Sequence, residues 1–379
     1  MFYEIPKQVR DCFTERYSGK PDPCGNAIIL KMKKRILVAP LNWGLGHATR
    51  CIPIINALIA ENFAPIIASD GAALTLLRKE FPNLTTIELP SYNITYTKNR
   101  KLFKLKLLKD SPKFLKAIKA EKKAIASILE HNDISGIISD NRLGVRNKKV
   151  PSVFMTHQLN VLSGNTTWLS TKIHQKIIKK FDTCWVPDIE GEINLSGKLG
   201  HLKKFDVPTS YIGPLSRFTN TRSEIKNDLM VLISGPEPQR TFLEEKLLSE
   251  LKSYSGKVVF VKGIMEKKQT IQGIGNITIY NFMTSKLLEK TINESALVVS
   301  RSGYTTVMDL AKLNKKAFFI PTPGQFEQEY LAKRLTEMSL VPSCKQNDFN
   351  IKRLDEVKAY EGLKAFDFKI DYTNLFSLF

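Results

Sequence analysis

The chain has 379 residues, 42% of them hydrophobic, which is enough for two domains with cores of their own. Its formal net charge of +20 favours anionic partners such as phosphorylated ligands or anionic lipid. No apolar run reaches the roughly 20 residues of a membrane-spanning helix. RNA-binding, zinc-finger and helix-turn-helix patterns are also missing, so we expect neither a membrane span nor a nucleic-acid partner.

Residues 1–31 are predicted to form a polar extension outside the core fold. They lack the apolar core of a signal peptide, and Met32 is an alternative start. No cluster of His, Cys and carboxylate residues suggests a metal site, so we expect no metal. The cysteines are scattered and odd in number, which argues against a disulfide framework and favours a reduced, cytosolic protein. They are Cys12, Cys24, Cys51, Cys184 and Cys344.

The first half of the chain alternates short apolar runs with helical patterns. Helices are predicted at 51–63 and 72–81. Strands are predicted at 35–40, 64–70, 84–90, 134–140, 151–157, 183–188 and 210–215. This β-α-β-α order is typical of a parallel, doubly wound sheet.

The densest positive charge lies between residues 98 and 123, where eleven Lys or Arg residues face only Asp110 and Glu121. Ser111 and Pro112 are typical of a helix start, and apolar residues then recur at helical spacing. This stretch is a solvated face of a core-packed helix, a surface for anionic membrane lipid, or a site for nucleic acid. If it binds lipid, vesicle binding should weaken with salt and with charge removal at Lys104, Lys106 and Lys113.

The alternation restarts after a polar segment, 213–228, that fits an interdomain linker. A helix is predicted at 241–252, with further helices after Met283, Gly303 and Phe326. Strands are predicted at 229–234, 257–263, 277–282, 296–301 and 316–321. We therefore predict an α/β protein with two doubly wound, Rossmann-like domains, 32–215 and 216–379. The cleft between them is the expected site, because ligands bind at the carboxyl ends of parallel strands.

The sequence LNWGLGHATR, residues 41–50, follows the first strand. Gly44 and Gly46 allow a ligand to approach the backbone closely, and the helix expected from Thr49 or Arg50 offers free N–H groups to an anion. The third glycine of the dinucleotide-binding pattern is missing. His47 suits general-base work because imidazole exchanges protons near neutral pH. The alternative is a turn in which the histidine only caps the helix.

Two turns in the second half have similar properties. In VVSRSGYTTVMDL (298–310), a strand ends in a turn that leads into an anion-ready helix start, with Asp309 about two turns further on to accept hydrogen bonds from ribose. The turn consists of Ser300, Arg301, Ser302 and Gly303. In IPTPGQFEQEYLAKRL (320–335), Gln328 and Glu329 open a helix and can hold sugar hydroxyls. Ordinary turn and cap chemistry is the alternative for each.

With gaps, residues 35 to 335 resemble the GT-B glycosyltransferases. The closest likeness is to the membrane-associated N-acetylglucosaminyltransferases of peptidoglycan synthesis and the related galactolipid synthases. Gly44, Gly46 and His47 match the glycine-rich loop of that family. VPSVFMTHQLN resembles the family's Val-Pro strand that ends in a His-Glu-Gln-Asn loop on the acceptor side. With shifted spacing, this likeness implies acceptor binding by His157, Gln158 and Asn160.

The resemblance also implies donor-binding residues in the second half. GPLSR resembles a Gly-Asn-Pro-x-Arg motif and implies Arg217, and NFMTSKLL resembles the segment whose backbone meets the uracil, implying Phe282 and Met283. SRSGYTTVMDL matches a diphosphate-binding turn with an acidic, ribose-binding residue six positions after the glycine. EQEY matches a pair of glutamines, although its second residue is acidic. Where the family has a Gly-Gly-Ser-x-Gly loop, this chain has SGPEPQR, so phosphate contact would fall to Ser234, Gly235 or Arg240.

The resemblance implies transfer of a sugar from a nucleotide-diphosphate sugar, UDP-linked, to a hydroxyl acceptor, with His47 as general base and no cofactor beyond the nucleotide sugar. A lipid- or envelope-linked acceptor would suit a cytoplasmic enzyme that lies on the inner face of the membrane. Nucleotide-sugar hydrolases of the pseudaminic acid pathway also resemble the chain at GLGHATR. Hydrolysis, with His47 activating water, is therefore an alternative, and a non-catalytic sugar-nucleotide or nucleic-acid binder is another.

Overall fold

The computed structural model describes residues 33–92, 100–202, 205–264, 266–363 and 370–379, with side chains described from residue 112 onward in the helix that begins at Arg100. The predicted extension, 1–31, lies outside these residues. Two parallel sheets follow one another along the chain, each flanked by helices. The predicted α/β class with two Rossmann-like sheets is therefore confirmed.

The first sheet has seven strands in the order β3-β2-β1-β4-β5-β6-β7, with every neighbouring pair parallel. The central strands are buried on both faces, which explains their continuous apolar sequences. The bounds are β1 Arg35–Pro40, β2 Ala64–Ser69, β3 Thr86–Glu88, β4 Ile134–Asp140, β5 Ser152–Met155, β6 Thr183–Val186 and β7 Thr209–Tyr211.

Four helices connect these strands, together with short 3-10 turns at Gly164–Thr166 and Gly197–Leu199. The first begins three residues before the predicted start at Thr49, so His47 lies in its first turn. The helices are α1 Gly46–Ala60, α2 Gly71–Glu80, α3 Arg100–His131 and α4 Thr167–Ile178.

The predicted start of α3 at Ser111 and Pro112 is wrong. The helix runs without a break from Arg100 to His131, with Pro112 inside it. Glu121, one of the two acidic residues in the basic stretch, is fully buried and contacts Arg142 and the hydroxyl of Tyr92. The side chains of Lys104 and Lys106 lie outside the described part of the helix, and Lys113 is exposed.

The second sheet has the order β10-β11-β9-β8-β12-β13. Its pairs are parallel except for β10 and β11, which form an antiparallel edge that the sequence did not predict. The bounds are β8 Asn227–Leu232, β9 Val258–Val261, β10 Ile271–Ile274, β11 Ile277–Tyr280, β12 Ser295–Ser300 and β13 Ala317–Phe319.

Helices α5 to α8 flank the second sheet, and two 3-10 segments, Gln346–Asp348 and Ile351–Ala359, follow them. Each of α7 and α8 begins directly after a turn that leaves the carboxyl end of a strand. The bounds are α5 Gln239–Leu251, α6 Ser285–Asn293, α7 Tyr304–Lys312, α8 Phe326–Glu337 and, at the end of the chain, α9 Tyr372–Phe376.

The last residues of the chain, which the sequence assigned to a domain of 216–379, contact elements of the first half. Phe376 packs against Phe63 and Trp185 of the first half, with ring centroids 5.8 and 6.3 Å apart. Phe379 lies over Gly136, where a Cβ atom would come within 2.1 Å of its ring. One apolar cluster includes β1 and α1 of the first half as well as α7 and β12 of the second. The two halves therefore share a core beside the site.

Candidate functional site

The glycine-rich turn after β1 lies against the second half of the chain. Gly44 has φ of +77°, which suits glycine, and Gly46 opens α1. A Cβ atom on Gly46 would lie 2.9 Å from the Thr305 hydroxyl oxygen, and that hydroxyl donates a hydrogen bond to the Gly46 carbonyl at 3.2 Å. A side chain at this position would therefore push the turn away from the first helical turn of α7.

His47 and Asp140 form a hydrogen-bonded pair at this turn. The imidazole Nδ1 lies 3.0 Å from Asp140 Oδ1, and Asp140 is the last residue of β4, the strand next to β1. The His47 side chain is 15% exposed, whereas that of Asp140 is fully buried. Burial by itself would raise the pKa of Asp140, but Arg50 and His47 together lower it to about 2. The pair thus consists of a permanent carboxylate and a partly accessible imidazole.

Arg50 lies one helical turn after His47 and is buried. Its Nε donates to Asp140 Oδ2 at 2.7 Å, and its Nη2 also donates to Asp140 Oδ1. Such two-pronged pairing fixes the orientation of a carboxylate as well as balancing its charge. The other terminal nitrogen, Nη1, lies 2.8 Å from His157 Nδ1. Arg50 therefore connects two histidines from different loops.

His157 reaches across to the second half of the chain. Its ring stacks on Tyr304 with centroids 4.2 Å apart, and its Nε2 lies 2.8 Å from Glu327 Oε1. Gln158 donates to the other oxygen of the same carboxylate. Burial lowers the pKa of His157, with Glu327 opposing the shift, and the pKa of Glu327 is lowered by His157 against the effect of its own burial. Because a guanidinium can only donate, His157 Nδ1 accepts from Arg50, which leaves His157 Nε2 to donate to the Glu327 carboxylate.

Asn160, the third residue predicted on the acceptor side, makes hydrogen bonds within the first half of the chain. Its side-chain oxygen accepts a hydrogen bond from Thr171, and its backbone N–H donates to the Leu199 carbonyl. These contacts hold the loop after β5 against α4. His157 and Gln158 thus meet Glu327, whereas Asn160 supports the loop that carries them.

Arg217 and Asp309 lie together in the second half. Burial raises the pKa of Asp309 to about 6, although Arg217 and a 2.7 Å hydrogen bond from Ser216 work in the opposite direction. The Arg217 guanidinium lies 4.8 Å from the Phe218 ring. Its Nε and Nη1 are buried and have no hydrogen-bond partner among the residues that the structure describes. Since such donors are costly to leave unmatched, they identify a place for an anion.

The turn after β12 is built around Arg301, which is fully buried. Its guanidinium donates to the carbonyls of Ile320, Pro321 and Gln239 and to the side chain of Gln346. The Ser300 and Ser302 hydroxyls donate to the carbonyls of Arg301 and Gln328. These three side chains hold the turn together, while Gly303 leaves open space at the N-terminus of α7. The groups left for an anion are the first backbone N–H groups of that helix and Arg301 Nε, which is buried without a hydrogen-bond partner among the described residues.

The other turn predicted to contact phosphate lies after β8. Gly235 has φ of +115°, and a Cβ atom there would lie 3.9 Å from the Thr322 hydroxyl, so the turn containing Ser234 is open. Arg240 is paired with Glu237 and Glu244, each at 2.6 Å. Its charge is therefore compensated by its own helix and by the turn that precedes it.

The predicted uracil segment is already hydrogen-bonded. The Phe282 carbonyl accepts from Gln269 at 2.8 Å, and its N–H donates to the Asn281 side chain at 2.9 Å. Phe282 and Met283 are both buried, with the Lys79 ammonium 4.2 Å from the Phe282 ring centre. A base could use the Phe282 N–H only by displacing the Asn281 side chain, whereas the carbonyl oxygen has a second lone pair for another donor.

In the EQEY sequence, the residue that contacts His157 is Glu327, which precedes the predicted pair. Gln328 is buried, with its side-chain oxygen accepting from the Thr322 N–H at 2.8 Å, and Glu329 accepts from the Gly324 N–H at 2.9 Å. Glu327 is the carboxylate that meets His157. A cavity of about 360 Å³ adjoins this end of α8; it is lined by Leu162, Gly164, Thr167, Lys198, Phe326, Glu329, Tyr330 and Lys333.

Sequence reasoning missed three members of this site: Arg50, Asp140 and Glu327. Two of them carried a usable signal. Arg50 follows His47 by three residues, which places both on one helical face. Asp140 ends the strand ISGIISD, where carboxyl ends of parallel strands converge. Glu327 could be told from Glu329 only once the orientation of α8 was known. In the described part of the chain, no group of His, Cys and carboxylate side chains could hold a metal ion, and no helix could span a membrane.

Two parallel sheets with the site where their strand ends meet define the GT-B glycosyltransferase fold. The glycotransferase of kitacinnamycin superposes with a TM-score of 0.57 at 11% identity over 86% of this chain and 89% of that one. This likeness shows the fold. Residues 239–360 match the glycosyltransferase family 28 C-terminal domain. The chain therefore has the GT-B fold, as the resemblance implied, and its second half matches a glycosyltransferase domain.

Two curated relatives extend the comparison. The UDP-N-acetylglucosamine--N-acetylmuramyl-(pentapeptide) pyrophosphoryl-undecaprenol N-acetylglucosamine transferase of Buchnera aphidicola is 24% identical over 48% of this chain and 49% of its own length. The chain thus spans about half the length of that relative. An uncharacterized glycosyltransferase of Methanopyrus kandleri, MK0977, is 21% identical over 86% of this chain and 93% of its own length. The likeness therefore extends over both sheets.

Proposed function

We propose that the protein transfers a glycosyl group from a nucleoside-diphosphate sugar, UDP-linked, to a hydroxyl group of an acceptor, with His47 as the general base. The observation that carries this proposal is the His47 imidazole. Its Nδ1 faces a buried carboxylate at 3.0 Å, and its ring is partly exposed where the two halves of the chain meet. An imidazole held in this way by a carboxylate is suited to remove a proton from a hydroxyl group.

In the reaction, the acceptor oxygen attacks the anomeric carbon of the donor sugar. The bond from that carbon to the diphosphate oxygen breaks, and the diphosphate leaves with the electron pair. The acceptor proton passes to His47 Nε2. Arg50 Nη2 lies as close to His47 Nδ1 as Asp140 Oδ1 does, at 3.0 Å, so this nitrogen either accepts from Arg50 or donates to Asp140. The reaction uses the form in which Nδ1 carries a hydrogen and donates it to Asp140, which stabilises the imidazolium that forms. Arg50 fixes the carboxylate and so positions the base.

The second half of the chain would bind the donor. We assign compensation of the diphosphate charge to the N-terminus of α7 and to Arg217, because Arg240 is paired with two carboxylates and both terminal nitrogens of Arg301 donate to other partners. We assign the Asp309 carboxylate to accept hydrogen bonds from ribose. Glu327 would face the donor sugar. His157 and Gln158 would hold the Glu327 carboxylate in position from the side away from the sugar.

The acceptor is proposed to be lipid-linked, with the protein acting at the inner face of the membrane. The name of the Buchnera aphidicola relative specifies an acceptor joined to undecaprenol through pyrophosphate. The lining of the cavity beside Glu327 combines the apolar and aromatic residues Leu162, Phe326 and Tyr330 with Thr167, Glu329 and two lysines. Such a lining suits an acceptor with both hydrocarbon and anionic parts.

A screen of nucleotide sugars for release of nucleoside diphosphate, with and without lipid extract, tests the proposal. Release that requires lipid supports transfer to a lipid acceptor, whereas sugar release with water alone selects hydrolysis. Isothermal titration with UDP and UDP-sugars tests the donor separately. If neither ligand produces heat, the UDP assignment is wrong.

A further inference from the structure

Two neighbouring side chains at the start of α7 cross from the second half of the chain to the first. Tyr304 is the first residue of this helix and is only 2% exposed, and Thr305 follows it. The Tyr304 hydroxyl donates to the Pro187 carbonyl at 2.9 Å, and the Thr305 hydroxyl donates to the Gly46 carbonyl at 3.2 Å. Pro187 directly follows β6, whereas Gly46 opens α1. The first turn of α7 is therefore bonded to two separate segments of the first half.

The Tyr304 ring is stacked on an imidazole of the candidate site. It lies against His157 with ring centroids 4.2 Å apart and an angle of 7° between the planes. Burial raises the pKa of Tyr304 well above its usual value, so the hydroxyl keeps its proton and remains a donor. His157 Nδ1 accepts from Arg50 at 2.8 Å. Arg50 in turn bonds the Asp140 carboxylate that holds His47, so a continuous series of contacts leads from the start of α7 to the base.

Thr305 contacts the turn of the base directly. The Gly46 carbonyl that accepts its hydroxyl belongs to the residue before His47. The fit is close, since a Cβ atom on Gly46 would come within 2.9 Å of the Thr305 hydroxyl oxygen. His47 is thus held from two sides, through the backbone at Gly46 and through the side chains that lead to Asp140. A shift of α7 relative to the first half would break a hydrogen bond or move the base.

The same two residues also begin the helix whose N-terminus we assigned to the diphosphate. The N–H groups of Tyr304 and Thr305 are among the first of α7, which have no partner within the helix, and Gly303 leaves the space beside them open. The backbone that would hold the leaving group and the side chains that hold the base therefore share one helical turn. The acceptor oxygen must lie between His47 Nε2 and the anomeric carbon, so the separation of base and diphosphate decides whether it reaches that carbon.

We propose that Tyr304 and Thr305 are positioning residues that set the separation between the donor diphosphate and the His47 base. Their side chains act through His157 and Gly46 and need not touch either substrate. The contacts between the two halves stand on the distances given above, but their role in the reaction rests on the proposed function. Altering these side chains should therefore slow turnover more than it weakens binding of the nucleotide.

Tyr211, the last residue of β7, provides a matched control. Its ring is stacked on His201 with centroids 4.7 Å apart and 13° between the planes, and its hydroxyl donates to the Gly200 carbonyl at 3.1 Å. Tyr304 makes the same two kinds of contact, but both partners of Tyr211 belong to its own half of the chain. A loss of activity common to both tyrosines would therefore reflect stability rather than positioning.

Steady-state kinetics of nucleoside diphosphate release by the full chain test the positioning role. Tyr304→Phe and Thr305→Val each remove one hydroxyl and keep the shape of the side chain, so we expect each to lower kcat about tenfold, and the double variant about 100-fold. UDP affinity, measured by titration, should stay within about threefold, because the N–H groups of α7 are unchanged. Thr305→Ser keeps the hydroxyl and should keep kcat within about threefold, and Tyr211→Phe within about twofold.

Amide hydrogen exchange gives a second readout that does not depend on activity. Because Tyr304 and Thr305 hold the turn of the base, the double variant should exchange the amides of 41–50 at least about threefold faster than the unaltered protein. Peptides from β8 and β9 should keep their rates, which separates a loosened turn from a general loss of stability. Tyr211→Phe should leave the exchange of 41–50 unchanged. If the double variant does not fold, the two single variants decide the test.

Three results would overturn the proposal. If Tyr304→Phe and Thr305→Val keep the full kcat, the contacts between the halves serve stability alone. If both variants weaken UDP binding as much as they slow turnover, the side chains support donor binding instead. If the exchange of 41–50 stays at the rate of the unaltered protein in the variants, α7 does not hold the turn of the base.

Failure of the proposed function gives a different pattern. The unaltered protein would then release no nucleoside diphosphate from any nucleotide sugar, and the positioning role would fail with it whatever the exchange rates are. Release by the unaltered protein and by the Tyr304 and Thr305 variants at equal rates would contradict the positioning role alone.

Discussion

Two buried arginines, Arg50 and Arg142, lie on either side of the end of β4 and lead to opposite consequences. Each is at most 1% exposed and each pairs with carboxylates. Arg142 donates to Glu121 and Asp70 at 2.7 Å and to the Pro90 carbonyl at 2.6 Å. All of these partners belong to the first half of the chain, and the cluster is closed.

The cluster around Arg50 is open, because it extends to a partly exposed side chain in one direction and to the second half of the chain in the other. Through Asp140 it holds His47, whose side chain is partly exposed, and through His157 it reaches Glu327 of the second half. The same chemistry, a buried guanidinium with carboxylates, thus stabilises a fold in one place and positions a candidate base in the other. What separates the two is whether the network ends at a group that a substrate can reach.

The largest expected effect is on stability, at the closed cluster. Arg142→Met leaves Glu121 and Asp70 buried without their cation, so we expect the free energy of unfolding to fall by about 3–5 kcal/mol. Chemical denaturation measures this change. If that variant does not fold, Tyr92→Phe removes only the hydroxyl bonded to Glu121 and should cost about 1–3 kcal/mol. A stability within error of the unaltered protein for both variants would contradict the structural role.

At the open cluster the expected effect is on turnover. His47→Ala removes the base, and we expect the rate of nucleotide release to fall by about 100-fold or more. UDP affinity, measured by titration, should stay near that of the unaltered protein, because the donor residues lie in the other half. His131→Ala, which changes an exposed histidine at the end of α3, is the matched control and should have no effect. A full rate in His47→Ala would exclude it as the base.

The two clusters should also respond to pH in opposite directions. The pKa of Asp140 is lowered to about 2, so its ionisation stabilises the fold above the unfolded value of roughly 4, and this is lost as the pH falls toward 2. The destabilisation by Asp140→Asn should therefore reach about 2 kcal/mol more at pH 7 than at pH 2. Burial raises the pKa of Glu121, although Arg142 opposes the shift. The free energy of unfolding therefore falls as the pH rises through the raised pKa and Glu121 ionises.

Glu121→Gln should accordingly destabilise the fold more near pH 4 than at pH 7. Unfolding curves of the two variants and the unaltered protein across this range measure both slopes. Slopes of the same sign would mean that the two carboxylates do not occupy the contrasting environments described above.

The smallest expected effect concerns the contact between the halves. Glu327→Gln keeps the shape of the side chain but removes the charge that accepts from His157 and Gln158, and we expect kcat/KM to fall by about tenfold. Gln328 and Glu329 bond within their own helix region, so Glu329→Gln is the control and should cost less. If the two variants lose activity equally, the assignment of Glu327 rather than Glu329 is wrong.

The comparison also explains which site residues sequence patterns could find. His47 was predictable because a histidine between a glycine-rich turn and a helix start has few structural reasons to be there. Arg301 was predicted as a diphosphate ligand from the same kind of pattern, yet its guanidinium is bonded to three carbonyls of neighbouring turns. A motif records that a residue type is needed near the site, but it does not distinguish a ligand from a support.

The sequence by itself determined the two alternating halves and the turns at their strand ends, because apolar periodicity and glycine placement are local properties. Only the tertiary structure decided that Asp140 contacts both His47 and Arg50, that Glu121 is buried, and that the end of the chain returns to the first sheet. Those contacts join residues far apart in sequence, up to Lys34 and Phe379. They depend on how elements pack, and no local pattern encodes which side chain a neighbouring element will present.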